Sequence, residues 1–256
     1  MKQNLILVLG LLGSASILAQ EPQTDDNLIT DRPDATESSS LIKKGALQIE
    51  SGAGYEAYDY DVLDEKIYTL NTTLLRYGLL ENLEIRAGLN YEQVKSSNAK
   101  KAEGFSPLLL GAKIGIAEEN GLLPKMAILS HLYLPFTANS DFKPETTGID
   151  LRFAFAHTLS EKSALGYNLG AEWVDDSGSA AYIYTLSYGY SLTDNLALYA
   201  EIYGDFPENN TANHSWDAGI TYLINNNFQL DATVGSGFNT HQSILLSTGF
   251  SYRITH

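Results

Sequence analysis

The chain has 256 residues, no cysteine, and 31 acidic against 16 basic side chains, giving a formal net charge of -15. That acidity excludes a nucleic-acid partner, because binding a phosphate backbone relies on Lys and Arg releasing counterions. The missing Cys excludes disulfides, thiolate metal centres, a Cys nucleophile and a lipidated-Cys anchor, and 44% hydrophobic content excludes an acidic disordered chain.

In chain order, Lys2 precedes an apolar run from Leu5 to Leu12. Small residues then lead to Ala19 and Gln20, which is the order of a secretory signal peptide. The run is broken by Gly and Ser well short of the roughly 20 apolar residues of a membrane helix. Residues 1–19 are therefore expected to be the signal. Residues 20–44, rich in Asp, Ser, Thr and Pro, are expected to form a polar arm. Residues 45–256 change to a period of two, the mark of strands with two unlike faces. Tyr182, Tyr184, Leu186, Tyr188 and Tyr190 alternate with Ile183, Thr185, Ser187 and Gly189, and the runs from Leu196, Trp216, Leu230 and Ile244 behave in the same way.

Short polar turns fall at Glu81-Asn82, Glu118 to Gly121, Ser160 to Lys162, Thr193 to Asn195 and Asn225 to Asn227. Longer polar loops lie between them, at Asp59 to Glu65, Lys95 to Gly104, Thr137 to Thr147, Val174 to Ser179, Asp205 to His214 and Phe238 to Gln242. Five turns and six loops connect twelve strands with both chain ends on the short-turn side, which is the plan of an outer-membrane barrel. The fold expected is all-β: an antiparallel transmembrane β-barrel with short periplasmic turns and longer outer loops. A soluble sandwich has the same alternation. Here, though, the minority face is small or polar and rich in Gly, which makes a poor dry core, and Tyr and Trp gather near strand ends where an interfacial girdle lies.

Thr30-Asp31-Arg32-Pro33-Asp34, then Glu37, then Lys44-Gly45-Ala46-Leu47-Gln48-Ile49-Glu50 resembles the opening segment of a bacterial transporter-like family labelled for the meta-pathway of phenol degradation. Leu75 to Leu79 with Leu83 to Arg86 is similar to its second signature. The resemblance implies an outer-membrane barrel that passes small molecules, aromatic ones included. The chain departs from common barrel practice in ending on His256 and not on Phe, while Phe250, Tyr252 and Ile254 keep the expected parity.

If the apolar face meets lipid, the opposite face lines the lumen with Glu50, Glu56, Arg76, Glu84, Arg86, Lys113, Arg152, Glu172, Glu201, Asp217, Asp231 and Arg253. These charges either filter solutes by sign or pair with one another and fill the barrel. Asp31, Arg32, Pro33, Asp34 and Glu37 admit two readings. The arm folds back to pair with Arg76, Arg86 or Arg253, or it is a loose periplasmic tether.

No catalytic group is assigned. Ser130-His131 and His214-Ser215 put hydroxyl beside imidazole, but neighbours on a strand face opposite ways. No metal or other cofactor is expected, since no two of the five His have the i, i+2 spacing of one strand face. The function expected is a passive channel or transport component for small, aromatic or hydrophobic, solutes in the outer membrane. Its partners would be membrane lipid, the outer-membrane assembly machinery and the solute. A non-conducting structural or adhesive barrel and a rim hydrolase are the alternatives.

Overall fold

The structure is a computed structural model and describes residues 28–60, 63–97, 99–174, 176–208 and 210–255. The expected signal, residues 1–19, and the first part of the arm lie outside these. From Leu47 the chain is almost wholly strand: β1 (Leu47–Tyr60), β2 (Leu63–Leu80), β3 (Leu83–Ser96), β4 (Ala102–Phe105), β5 (Leu108–Ala117), β6 (Lys125–Leu134), β7 (Gly148–Ser160), β8 (Ser163–Trp173), β9 (Ala181–Ser191), β10 (Leu196–Pro207), β11 (Asn213–Asn225), β12 (Phe228–Gly237) and β13 (Gln242–Ile254). The short β4 is a flap paired to the outer end of β3, and the other twelve form the wall, each antiparallel to its neighbours.

Closure is made by β1 against β13, from Leu47 opposite Ile254 to Tyr58 opposite Gln242. Every wall strand thereby finds partners on both sides, which is what a β structure needs in lipid, where an unpaired N–H or C=O has no water to meet. The five short turns lie where the polar clusters place them. Three of the expected outer loops are partly strand instead, Asp205 to His214 among them, since β10 runs to Pro207 and β11 starts at Asn213. β1 and β2 continue as a ribbon through most of Asp59 to Glu65, and Lys95 to Gly104 contains the end of β3 and the start of β4. Cross-strand pairing from Tyr58 opposite Glu65 to Tyr60 opposite Leu63 keeps both segments extended.

The two faces divide as the alternation demands. Leu75, Tyr77, Leu151, Phe153, Leu186, Ile202, Ile220 and Phe250 are exposed on the outer wall. Between them Arg76, Asp150, Ser187, Glu201 and Ser251 are buried in the interior. Arg at Leu186 or Ile220 should cost insertion ~2–4 kcal/mol near the bilayer midplane, and Thr221→Arg on the inner face distinctly less. Folding titrations into vesicles measure the difference, and equal losses at both sets would reverse the assignment of faces.

Candidate functional site: an occupied lumen

Antiparallel register brings like charges together on the inner face. Arg76 on β2 stands directly opposite Arg86 on β3, and Glu201 on β10 directly opposite Asp217 on β11. Such cross-strand pairs repel, so each needs something between or beside its members. The arm supplies it.

Residues 28–44 run inside the barrel. The Asp31 carboxylate sits between the two arginines, 3.0 Å from Arg76 Nη1 and 2.8 Å from Arg86 Nη2, with Lys113 Nζ at 3.0 Å. Glu37 lies 2.9 Å from Arg86 Nη1 and 3.7 Å from Lys113. On the wall itself Arg76 donates to Glu50 at 2.9 Å and to both oxygens of Glu84 at 2.8 and 3.0 Å. Three wall cations thus face two wall carboxylates, and Asp31 and Glu37 supply the missing negative charge. Buried charges survive only when paired in this way.

On the acidic side the arm answers with donors. The Ala35 N–H donates to Glu201 Oε2 at 2.7 Å, and the Thr36 hydroxyl donates to Glu201 and accepts from the Thr185 hydroxyl at 2.7 Å. Asn168 on β8 meets the Glu37 backbone twice, accepting its N–H at 2.7 Å and donating to its C=O at 2.9 Å. Arg32 turns to β12, where its Nε and Nη2 reach the two oxygens of Asp231 at 3.1 and 2.8 Å in a fork. Its guanidinium lies over Gly52 and Gly249, which face each other across the β1–β13 seam. A Cβ at either position would come within 2.6 Å of Arg32 Nη2, so these glycines are the floor of its seat. The arm leaves toward the periplasm with the Ile42 N–H on Glu84 and the Gly45 N–H on the Gly78 carbonyl, 2.9 and 2.8 Å.

The remaining expected lumen charges are disposed as follows. Arg152 donates to Asp150 at 2.9 Å, and Asp150 lies 3.2 Å from His131 Nδ1, whose Nε2 is 2.9 Å from Arg86. Glu172 borders a cavity of about 200 Å³ that also touches Arg152 and Ala35. Arg253 stands at the periplasmic rim, bonded to Asn227 Oδ1 and the Asn226 carbonyl at 2.9 and 3.0 Å. The arm's acidic residues therefore meet Arg76, Arg86 and Lys113; Arg253 serves a turn. Sequence reasoning gave no role to Gln48, His131, Asp150 and Asn168, although all four are inward by parity. A neutral side chain or lone imidazole carries no sign that tells it from ordinary lumen lining, but Asp150 was legible: it is a carboxylate two residues from Arg152 on the same face of β7.

Charge on the arm itself responds to these surroundings. Burial alone would raise the Glu37 carboxyl, but Arg86 and Lys113 beside it hold it far below the usual carboxylate range. Asp34 moves the other way, pushed up by burial and by Glu201. A raised carboxyl contributes to docking fully below its ordinary pKa and loses that contribution as pH rises through the raised value. Alkalinisation from the ordinary carboxylate range should therefore loosen the arm tip and increase current fluctuations in planar bilayers. Asp34→Asn should flatten that dependence, and an unchanged profile in the variant would assign it elsewhere.

Residues 30–254 match the model of the family described as "Putative MetA-pathway of phenol degradation". The chain belongs to this family. No curated protein matches the sequence. Among solved structures, the COG4313 outer membrane channel from Pseudomonas putida F1 is similar with a TM-score of 0.69 and 15% identity, over 87% of this chain and 99% of that one. The translocator domain of autotransporter NalP from Neisseria meningitidis gives 0.53 and 14%, over 83% and 90%. The KdgM porin gives 0.52 and 9%, over 80% and 99%. At these identities the likeness concerns the fold, and this member of the phenol-degradation family is an outer-membrane β-barrel. Its family match begins at Thr30, so the buried arm segment lies within the family's own span.

Proposed function

We propose that this barrel is a passive outer-membrane channel for small solutes, stoppered on its periplasmic side by its own N-terminal arm. The supporting observation is the division of the lumen. The periplasmic half is filled by residues 28–44, and the outer half keeps a cavity of about 600 Å³ that opens between β1, β10, β11 and β13. A barrel serving only as a structural element has no need of an interior filled by a separate, polar segment that precedes its strands. The family description and the tyrosines of the cavity support aromatic solutes among the cargo. Of the three solved structures of similar fold, one is a channel, one a porin and one an autotransporter translocator domain, and this reading carries the activity of the first two over to the present chain. We assign it no catalysis, because Ser130 and His131, like His214 and Ser215, occupy alternate faces of their strands.

Uptake of a small phenol by proteoliposomes carrying the purified barrel tests the proposal. Entry should exceed that into empty vesicles, and should rise further when the arm is removed. A folded barrel that passes nothing in either form would instead be the structural surface protein.

A further inference from the structure

The outer cavity has a chemistry of its own. At its base Glu56 Oε2 accepts a hydrogen bond from the Tyr58 hydroxyl at 2.6 Å and another from Gln242 Nε2 at 2.8 Å. Both donors are neutral. The carboxylate fixes the amide orientation of Gln242, since its NH2 and not its C=O must face an acceptor. Gln242 Oε1 is then a buried acceptor with no hydrogen-bond partner. Asp205 borders the same cavity, and Asn213 Nδ2 meets its oxygens at 3.1 Å. Among the described residues that line this space there is no Lys or Arg. The contrast with the inner half of the lumen is sharp, where Asp31, Glu37, Glu50 and Glu84 each sit against a guanidinium or ammonium.

Aromatic faces stand beside these acceptors. The Tyr58 and Tyr60 rings stack at 6.3 Å with 13° between their planes, and Tyr60 lies 4.5 Å from the His241 ring. The His241 Nδ1 is held by the Asp59 carbonyl at 3.1 Å. A carboxylate beneath a tilted stack of rings is complementary to one class of ligand: a positive charge carried on an apolar body. The charge finds Glu56 and the ring quadrupoles, and the body covers the phenol faces. An anion would meet two carboxylates with no cation to offset them.

We infer that the outer vestibule is a binding site for small organic cations, a primary or quaternary ammonium on an aromatic or aliphatic body. The inference rests on the channel reading only in taking the vestibule to be reachable from outside. Solutes reaching the plug are then sorted by sign before they arrive, with amines concentrated and carboxylates turned back.

Equilibrium titration of the full-length, detergent-purified barrel with benzylammonium, benzyl alcohol and benzoate tests this without any need for permeation. Benzylammonium should bind at least about tenfold more tightly than the alcohol, and benzoate should give no signal. Glu56→Gln keeps the shape and the acceptor for Tyr58, so it should fold, as judged by the heat-dependent gel shift, and lose most of the preference. Asp205→Asn provides a second removal of charge that leaves the Glu56 cluster intact, and should lose part of it. Equal binding of the three probes, or a preference kept in both variants, overturns the inference. Selective binding without vesicle uptake retains it and removes the channel reading. Uptake without selectivity does the reverse.

Discussion

Deleting residues 21–39 is expected to turn a nearly silent barrel into a steadily conducting pore. The deletion removes Asp31, Arg32, Asp34 and Glu37 together with the backbone groups that occupy Glu201 and Asn168. It leaves three cations and two carboxylates facing each other around a water-filled space. Hydration replaces the lost partners, so the wall has no reason to collapse. All strands begin after Lys44, and the barrel should still form and still shift on unboiled gels. Arg32→Ala should open the pore partially, because it frees Asp231 and vacates the Gly52–Gly249 seat while Asp31 keeps the other side docked. Planar-bilayer recordings give both results. A folded deletion variant with wild-type conductance would move the barrier to the outer loops.

The largest effect on stability is expected at Arg76. Its guanidinium is fully buried and lies within 3.0 Å of Asp31, Glu50 and Glu84. Arg76→Met keeps an unbranched apolar stem and removes the charge, so three carboxylates are left together, with Arg86 and Lys113 to answer them. Breaking a buried pair by removing one partner costs ~3–5 kcal/mol, chiefly because the abandoned charge stays where water reaches it poorly. Adding Glu84→Gln should recover part of that, since it removes one of the abandoned charges. Denaturant midpoints of the folded barrel in vesicles measure the series. A loss below ~1 kcal/mol, the scale of a hydrated surface pair, would mean that the lumen around Arg76 is wet.

How far these features can be read without coordinates depends on whether they are local. Strand parity is local: the alternation through Leu186 and Ser187, or Ile220 and Thr221, states which side meets lipid, and the polar clusters at Glu81, Glu161 and Asn226 state where the chain reverses. Barrel closure follows from the solvent, since lipid tolerates no open edge. Contacts between arm and wall are not local. Asp31 reaches Arg76, Arg86 and Lys113, which belong to three strands brought together only by register, and nothing in the sequence near Arg253 tells that it serves Asn226 and Asn227 instead. The inward glycines carried information that their composition concealed. They argued against a dry core, but Gly52 and Gly249 are small because a guanidinium rests on them. The outer β1–β2 ribbon was obscured for a different reason: Asp59 and Asp64 read as loop residues, whereas their pairing across the two strands outweighs that tendency.

The seat of Arg32 draws on β1 through Gly52, on β12 through Asp231 and on β13 through Gly249 and Ser247. Its pieces come from the two ends of the strand sequence, and they are adjacent only after the first and last strands have zipped together. Until then the pocket does not exist, so Arg32, although made before any strand, is the part of the arm that must dock last. The fastening thus works as a latch on a finished wall. A barrel whose seam is still open can hold Asp31 but not Arg32, and one whose seam has closed acquires, in the same event, a cross-tie that opposes its reopening.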